Sequence, residues 1–589
     1  MQKRWYIHST ASVQKIKNLQ EQLNVDKVIA SMLAKRGIES FEEAKTFFRP
    51  SLSDLHNPFL MHGMKTAVTR INLAMQQGEN ILIYGDYDVD GTTAVAMCMH
   101  VLAKHTNNIA SYIPDRYEEG YGISYQGIDF AAANNFSLIV ALDCGIRANA
   151  QIAYAKEKNI DFIVCDHHLP GIHIPDCIVL NPKQKECKYP FKELSGCGVG
   201  FKLLCALAET NGWPQEEVYA QLDILATSIA ADLVDITGEN RILSYFGLKQ
   251  INEKRRPAFE ALFQVANFSQ LKSVDITNIM FVIAPRINAA GRLESGNSAV
   301  KLLLSKTLEE ALPIALAINE LNATRRELDA SITEEALELV EAETGYFEKK
   351  STVVFNPTWH KGVIGIVASR IKEKYYRPTI VLTENNGELT GSARSVDNFD
   401  VHAAIDACAD LLTKYGGHAM AAGLSLLPEN FEAFKSRFEK TVSETIGRTE
   451  ELEEVPLEME LKLSEIFKEN ETRNDIPQLK RVLNQFEPHG PGNMKPVFLA
   501  KSVFAAGVQL LKEEHLKMNL FQENDAFTLP AIGFRMPHFY ELVTSNEPFD
   551  VAFTLEVNEW IKNSGEISRT LQLNIKDIRP ALLEEFPNS

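Results

Sequence analysis

Asp86, Asp88 and Asp90 occupy alternate positions in the run ILIYGDYDVDG at 81–91. Withdrawing three carboxylates from water together is costly unless a cation stands among them, and a divalent metal held by hard oxygen ligands is the economical candidate. A solvated acidic turn or a calcium loop is the plainer alternative. Two further apolar runs end in similar groups. SLIVAL at 137–142 leads into Asp143-Cys144-Gly145, and DFIVC at 161–165 leads into Asp166-His167-His168. A lone aspartate at a strand end is usually a helix cap, and a lone histidine a satisfied core residue. Three acidic run ends, one with paired histidines, shift the balance to metal ligation.

For these groups to meet, the runs before them must be strands of one sheet. ILIY at 81–84 reads as a buried strand, Gly85 as the turn after it, and Thr92-Thr93 as the opening of a helix that continues to His105. ASYIP at 110–114, SLIVALD at 137–143, DFIVCDHH at 161–168 and CIVLNP at 177–182 supply further apolar strands that alternate with helices. That alternation predicts an α/β fold with a parallel sheet covered on both faces. Open sheets of this kind take their ligands beyond the carboxyl ends of the strands, where the aspartates fall.

Composition narrows the function classes. At 589 residues and 45% hydrophobic the chain can bury several cores, and three or four domains are expected. The net charge of −18 argues against coating duplex DNA by bulk electrostatics, yet a nuclease needs only a local basic groove beside its metals. The eight cysteines include no CxxC pair, which leaves neither a zinc ribbon nor a disulfide framework and predicts reduced thiols. MQKRWYIHST is basic without an apolar run behind it, and no segment reaches the length of a membrane span. A cytoplasmic protein with no membrane partner is therefore expected.

Residues 1–75 read as a helical lead-in, with helical apolar spacing over 25–48 and a helix at 67–75 running into the first core strand. LSGCGVGFKLLCAL at 194–207 starts a helix after a glycine turn. RINAAGRL at 286–293 offers Arg286, Asn288 and Arg292 either to nucleic acid or as ties between lobes. From 314 to 342 there is no glycine or proline, and Leu321, Leu328, Ile332, Ala336 and Leu339 keep one apolar stripe. A helix about 40 Å long follows at ~1.5 Å per residue, with Pro313 either in its first turn or kinking a longer helix.

A second lobe begins with STVVFNP, a strand that ends before Trp359-His360-Lys361-Gly362, followed by the amphipathic helix VIGIVASRI and the strands PTIVLTE and GELTGSARS. His360, Arg370, Arg394, Ser395 and His418 are donors suited to phosphate oxygens, and glycines in GSARS and GGHAMAAG allow close backbone approach. The alternative makes GGHAMAAG a packing turn and Arg370 a solvated helix residue. Arg116 in PDRYEEGYG could fork onto a phosphate or pair with Glu118 or Glu119. Six glutamates over 450–460 read as a solvated junction. Beyond it, VFLAKSV, LKMNLFQ, LPAIGF, FDVAFTLEV and LQLNIKDI predict a small β-barrel of OB type, in which Phe504, Phe521, Phe534 and Phe553 either stack bases or fill the core.

GDYDVDG, LDCG, DHH at 166–168 and ATSIAADLVDI at 226–236 together resemble the DHH phosphoesterase superfamily, in the order that family uses. RINAAGRL, WHKGVIGIVASR at 359–370, GSARS and GGHAMAAG resemble its RecJ branch with a DHHA1 domain, and PDRYEEGYG and LQLNIKDIRP are similar to the same branch. The resemblance covers nearly the whole chain. It implies a helical lead-in over 1–75, a DHH catalytic domain over 76–305, a connecting helix over 306–345, a DHHA1 domain over 346–449 and an OB-type domain over 450–589. It also implies two divalent metals, Mn2+ or Mg2+. Asp88 and Asp90 would serve one metal each, Asp143 would bridge them, His167 and Asp232 would complete the second site, and Asp86 would help hold the first. His168 would stand at the scissile phosphate or the attacking water. From the residues alone Asp235 competes with Asp232; the resemblance favours Asp232. Two such metals, roughly 3.5 to 4 Å apart, can activate a shared hydroxide for in-line attack at phosphorus.

The implied activity is hydrolysis of single-stranded DNA from its 5′ end to mononucleotides in repair and recombination. The implied setting is a monomer that works with a single-strand-binding protein and a helicase. Shorter DHH-DHHA1 proteins supply the alternative of hydrolysing short RNA or cyclic dinucleotides, and catalytically dead relatives supply that of a replication scaffold. Such scaffolds lose ligands, and here every ligand position is filled. Cys197, Glu294 and His489-Gly490 depart from the usual residues of the branch.

Overall fold

Complete burial of Ile81, Leu82, Ile83 and Tyr84 makes β1 (Asn80–Gly85) a strand covered on both faces. A computed structural model describes residues 3–7, 12–268, 273–446, 453–468, 471–472, 475–523, 527–561 and 567–581. Strand β1 lies between β2 (Ile109–Tyr112) and β3 (Phe136–Leu142), followed by β4 (Asp161–Cys165) and β5 (Ile178–Leu180). The order is β2-β1-β3-β4-β5, all parallel. The chain leaves β1 for β2 on one side and reaches β3 on the other, so the topological switch point lies between β1 and β3. Gly85 pairs with Leu142 and Leu142 with Cys165, so Asp86, Asp143 and Asp166 each leave the sheet at the same edge.

Helix α1 (Val89–Leu102) starts three residues earlier than Thr92 because the Asp88 carboxylate caps it, accepting the Gly91 N–H at 3.0 Å. Asp90 therefore lies in the first helical turn, not in a loop. Helices α2 (Gly196–Asn211) and α3 (Leu222–Ala231) pack on α1 and lead their ends toward the same sheet edge. Beyond them come a π-helical turn at Ile279–Ile283 and α4 (Ala284–Leu293).

Helix α5 (Leu308–Ala342) has 35 residues and so runs about 50 Å at ~1.5 Å per residue. Thr307 caps its start, which places Pro313 inside a helix longer than the uninterrupted sequence indicated. Its buried stripe is also rotated from the expected one. Ile318, Asn322, Asp329, Ile332, Ala336 and Val340 face inward, while Leu339 is exposed and Leu321 only partly covered. Two polar residues can lie inside because arginines meet them. Arg325 donates to Asn322 at 2.8 Å and Arg370 to Asp329 at 2.6 Å.

The second lobe is a five-stranded sheet of β6 (Thr352–Phe355), β7 (Thr379–Asn385), β8 (Glu388–Arg394), β9 (Lys414–His418) and β10 (Ala421–Leu426), in the order β9-β10-β8-β7-β6. Helix α6 (Ile364–Tyr375) packs on its β7 and β8 strands, and GGHAMAAG forms the β9–β10 hairpin.

The chain divides into two compact units, Leu55–Glu451 and Met1–Asp54 with Leu452–Ser589. The helical lead-in is thus shared out. Helix Met64–Gln77 belongs with the first sheet, while Ile16, Leu19, Ile29 and Leu33 of the earlier helices share a core with Leu461, Phe486, Phe498 and Leu573. Part of the acidic junction is a strand. Glu454–Leu457 pairs in parallel with Arg4–Ile7, burying Val455 and Leu457. In the second unit β11 (Phe498–Leu511), β12 (His515–Gln522), β13 (Leu529–Gly533), β14 (Phe549–Ile561) and β15 (Ile567–Pro580) follow the order β11-β12-β13-β15-β14, and β14 pairs again with β11. Among the described residues no helix is long and apolar enough to cross a membrane.

Candidate metal centre and phosphate groove

Asp90 is the best anchored carboxylate of the cluster. It accepts the Gly196 N–H at 2.7 Å, the Cys197 N–H at 2.8 Å and the Ser228 hydroxyl at 2.6 Å, so the amino end of α2 holds it in place. Asp143 is held by its backbone instead. Its N–H donates to the Cys165 carbonyl at 2.8 Å and its φ is +60°, a conformation aspartate tolerates better than most residues. A Cβ on Gly196 would come within 2.5 Å of Asp143 Cβ and Oδ1, so only glycine lets α2 start this close.

The acidic groups converge. His167 Nε2 is 3.4 Å from Asp143 Oδ1, 3.4 Å from Asp232 Oδ2 and 3.9 Å from Asp90 Oδ2. Three overlapping sets, Asp86-Asp88-Asp143, Asp90-His167-Asp232 and Asp143-His167-His168, each bring ligand atoms within 4.8 Å of one another. Asp86 Oδ1, Asp143 Oδ1 and both ring nitrogens of His167 are buried without a hydrogen-bond partner. Orphaned buried acceptors of this kind fit a cation, since native interiors otherwise satisfy such atoms.

Burial drives the protonation of the cluster. It pushes the Asp86 and Asp143 carboxyls well above the usual range, and neighbouring aspartates add to the effect. Asp88 moves up for the same reasons, and Asp232 is pushed up to about 8. Burial lowers His167. Asp166 and His168 form a separate pair. Burial opposes the charge on each, yet their 2.7 Å hydrogen bond prevails, holding Asp166 down to about 2 and His168 up to about 9. Asp166 also accepts the N–H groups of Ile146, His167 and His168, so it positions the histidine pair instead of joining the orphaned atoms.

A basic groove faces this centre. The Arg116 guanidinium lies over the Tyr87 ring at 4.9 Å and makes no ion pair with Glu118 or Glu119. Burial, together with the charge of Arg116, lowers Arg394, His360 and Lys361, and Arg292 is pushed down to about 10. Arg394 donates to Ser392 Oγ at 3.1 Å and the Ala393 carbonyl at 2.8 Å, with no carboxylate partner among the described residues. The His418 ring stacks on that of His168, with centroids 6.4 Å apart and planes 10° from parallel. Arg292 ties the lobes by donating to the Gly362 carbonyl at 3.1 Å, and a Cβ on Gly362 would come within 2.5 Å of the Tyr117 hydroxyl.

Other expected donors are engaged elsewhere. Ser395 is buried and donates to the Phe399 carbonyl at 2.7 Å. Arg286 donates to Asn319 at 3.0 Å and to the Val282 carbonyl at 2.6 Å. Asn288 lines a cavity of about 270 Å³ with Arg292, Arg325, Leu233 and Phe281. His360 accepts the Gly362 N–H at 3.1 Å. Arg370 is committed to Asp329, whose second oxygen has no partner. Arg370→Ala is therefore expected to lower stability by about 1–3 kcal/mol, by leaving the buried Asp329 carboxylate with only Arg325 at 3.8 Å. Adding Asp329→Asn should return most of that loss in urea denaturation; failure to do so would deny the pair its structural role. In the barrel Phe553 is fully buried, Phe504 and Phe521 stack on each other at 5.6 Å, and Phe534 is 52% exposed.

Gly196, Ser228, Arg325 and Tyr121, whose hydroxyl lies 3.2 Å from His168 Nε2, were not singled out from the sequence. Gly196 lies in the glycine turn before α2, Tyr121 in PDRYEEGYG and Ser228 in ATSIAADLVDI, but nothing in those runs marked the individual residues.

The chain matches the DHH family, N-terminal domain, over residues 80–229, the DHHA1 domain over 348–444 and the RecJ OB domain over 471–577. It is 35% identical to the single-stranded-DNA-specific exonuclease RecJ of Bacillus subtilis (strain 168), over 96% of this chain and 69% of that protein. Identity to the protein of the same description from Escherichia coli (strain K12) is 34%, over 94% and 96%. The crystal structure of RecJ in complex with Mn2+ from Thermus thermophilus superposes with a TM-score of 0.81 at 28% identity, covering 99% of this chain and 80% of that one. The acidic edge of a DHH sheet, the DHHA1 lobe facing it and the OB-type unit are thus the parts of a known whole, and the chain belongs to the RecJ family.

Proposed function

We propose that this chain is a metal-dependent exonuclease that hydrolyses single-stranded DNA from the 5′ end to mononucleotides. The observation that carries the reading is the juxtaposition of buried, orphaned carboxylate oxygens at the β1–β3 switch point with Arg116 and Arg292 of the same lobe and Arg394 of the facing lobe, none of which has a carboxylate partner among the described residues. Asp86, Asp88, Asp90, Asp143, His167 and Asp232 are the ligands for two divalent cations, Mn2+ or Mg2+. When bound, these cations supply Lewis acidity toward water and the phosphate oxygens.

The chain's own residues do the rest. Asp90, fixed by α2, and Asp143, fixed by its backbone, present their oxygens without reorganising. His168, kept protonated by Asp166, donates toward the phosphate or the leaving oxygen from Nε2. Arg116 and Arg394 grip non-bridging phosphate oxygens, with His360 and His418 beside them and Arg292 maintaining the field between the lobes. Arg286, Arg370, Asn288 and Ser395 shape the groove. The names of the relatives support single-stranded DNA as the substrate; a cytoplasmic monomer that works with a single-strand-binding protein and a helicase belongs to the same proposal.

Arg394→Ala and His418→Ala separate gripping from metal holding. Calorimetric manganese stoichiometry should match the wild type, while kcat/KM on end-labelled single-stranded DNA falls about 10- to 100-fold. Loss of a manganese site in either variant would misplace the second lobe. Turnover of short RNA or a cyclic dinucleotide in preference to DNA would overturn the substrate.

A further inference from the structure

The second unit carries a charged cluster well away from the metal centre in sequence. On β15, Leu571, Leu573 and Ile575 point into the core, so Gln572, Asn574 and Lys576 lie on the outer face, where Asn574 pairs with Thr554 and Gln572 with Glu556 of β14. The pairing shifts between Ala552 and Phe553, which leaves Lys576 as the extra residue of a β-bulge, a device that re-aims a side chain. Lys495 reaches this face from the loop before β11, its Nζ 2.9 and 3.1 Å from the two Glu556 oxygens.

Lys480 completes the group. It is only 6% exposed, yet makes no hydrogen bond or ion pair among the described residues. Its ammonium is destabilised by burial and by Lys495, and only partly supported by Glu556 and Glu487. Lys576 likewise has no ion-pair partner among the described residues and stands exposed at the bulge. His489, beside Lys480, Lys495 and Arg36, is pushed down to about 4 by burial and brings no charge at neutral pH. Three ammonium groups therefore gather around Glu556, with Glu487 the other carboxylate near Lys480, and the most buried of the three lysines makes no hydrogen bond or ion pair among the described residues. Gathering like charges this way is costly unless an anion joins them.

We infer that Lys480, Lys495 and Lys576, on the outer face of the β14–β15 hairpin, form a phosphodiester-binding site for single-stranded DNA. This is a different surface from that of the second and third barrel strands, which OB folds commonly use for bases. The inference rests on the nuclease reading for its ligand. Lysines bind phosphate as point charges, and the flanking Gln572 and Asn574 amides suit sugar and phosphate oxygens. Of the hairpin residues on this face Thr554 is buried, and Glu556, Gln572 and Asn574 offer no apolar seat of the kind a peptide partner would use.

The test measures binding of the full-length protein to a fluorescent 30-nucleotide strand in EDTA, across a salt series, for the wild type, Lys576→Ala, Lys480→Met and the double variant. Each lysine that no longer neutralises a phosphate should flatten the slope of log K against log salt by about 0.7, or roughly fivefold in affinity at 0.1 M salt. Lys576 is exposed, so its variant decides the matter if Lys480→Met does not fold by circular dichroism. Wild-type slopes in Lys576→Ala and in the folded double variant overturn the site. So does a double variant that keeps its DNA slope but loses binding of a glutamate-rich peptide, which would assign the face to an acidic protein segment. A wild-type protein that leaves the strand intact in Mn2+ would instead defeat the nuclease reading, and the slopes in EDTA would still judge the lysines.

Discussion

Asp143→Asn is expected to reduce hydrolysis of single-stranded DNA by about a thousandfold or more, while binding of the strand in EDTA stays within about threefold of the wild type. Asparagine is the informative replacement because it keeps the side-chain shape and tolerates the φ of +60° that the strand end imposes. Only the charge is removed. Asp143 belongs to two of the three ligand sets, and its Oδ1 is buried, unpartnered and 3.4 Å from His167. A group in that position would serve both halves of the proposed two-metal centre. Asp166→Asn should act differently. It removes no proposed ligand, only a support of the His167-His168 pair, and releases His168 from its raised protonation, so its loss should be smaller and should grow as pH rises toward about 9. Appreciable turnover by Asp143→Asn at saturating Mn2+ would remove the bridging role.

How far the sequence carries the argument depends on the distance over which each signal acts. Asp86, Asp143 and Asp166 were legible because each follows a continuous apolar run, and buried parallel strands are written that way. What holds Asp90 was not legible. Its partners Gly196, Cys197 and Ser228 lie more than a hundred residues away, and no local pattern ties them to it. Donor type misleads for the same reason. Arg370 and Ser395 look like phosphate donors until Asp329 and the Phe399 carbonyl are found beside them. Helical periodicity in residues 25–48 announced an apolar face without saying which core would receive it. Those helices share the core of the C-terminal unit, so cutting the chain near Glu450 alone would strip the cover from Ile29 and Leu33. A clean test of the barrel therefore uses point variants in the whole chain.

The second large effect concerns stability, pH and metal together. In EDTA, Asp86, Asp88, Asp143 and Asp232 hold protons more tightly folded than unfolded. The stability each contributes is present below the unfolded carboxyl value of about 4 and is lost as pH rises through its folded value, which for Asp232 is about 8. His168 acts in the same direction, its contribution present below about 6.5 and lost as pH rises through about 9. His167, lowered by burial, opposes them. Asp166, held at about 2, contributes equally at pH 6 and 8. The metal-free protein should therefore melt at a lower temperature at pH 8 than at pH 6. Mn2+ reverses the trend, because the cations bind the deprotonated ligands that the empty cluster cannot stabilise. At a hundredfold excess over Kd the gain is about 2.7 kcal/mol, and it should be larger at pH 8, where fewer protons must be displaced. Asp232→Asn should flatten the EDTA profile between pH 6 and 8 by removing one of the raised carboxyls, the one pushed up to about 8. Scanning fluorimetry of the wild type and this variant, with EDTA and with Mn2+, reads all of these outcomes. A metal-free protein as stable at pH 8 as at pH 6, or a manganese gain equal at both, would mean that the buried carboxylates are satisfied by something other than a cation.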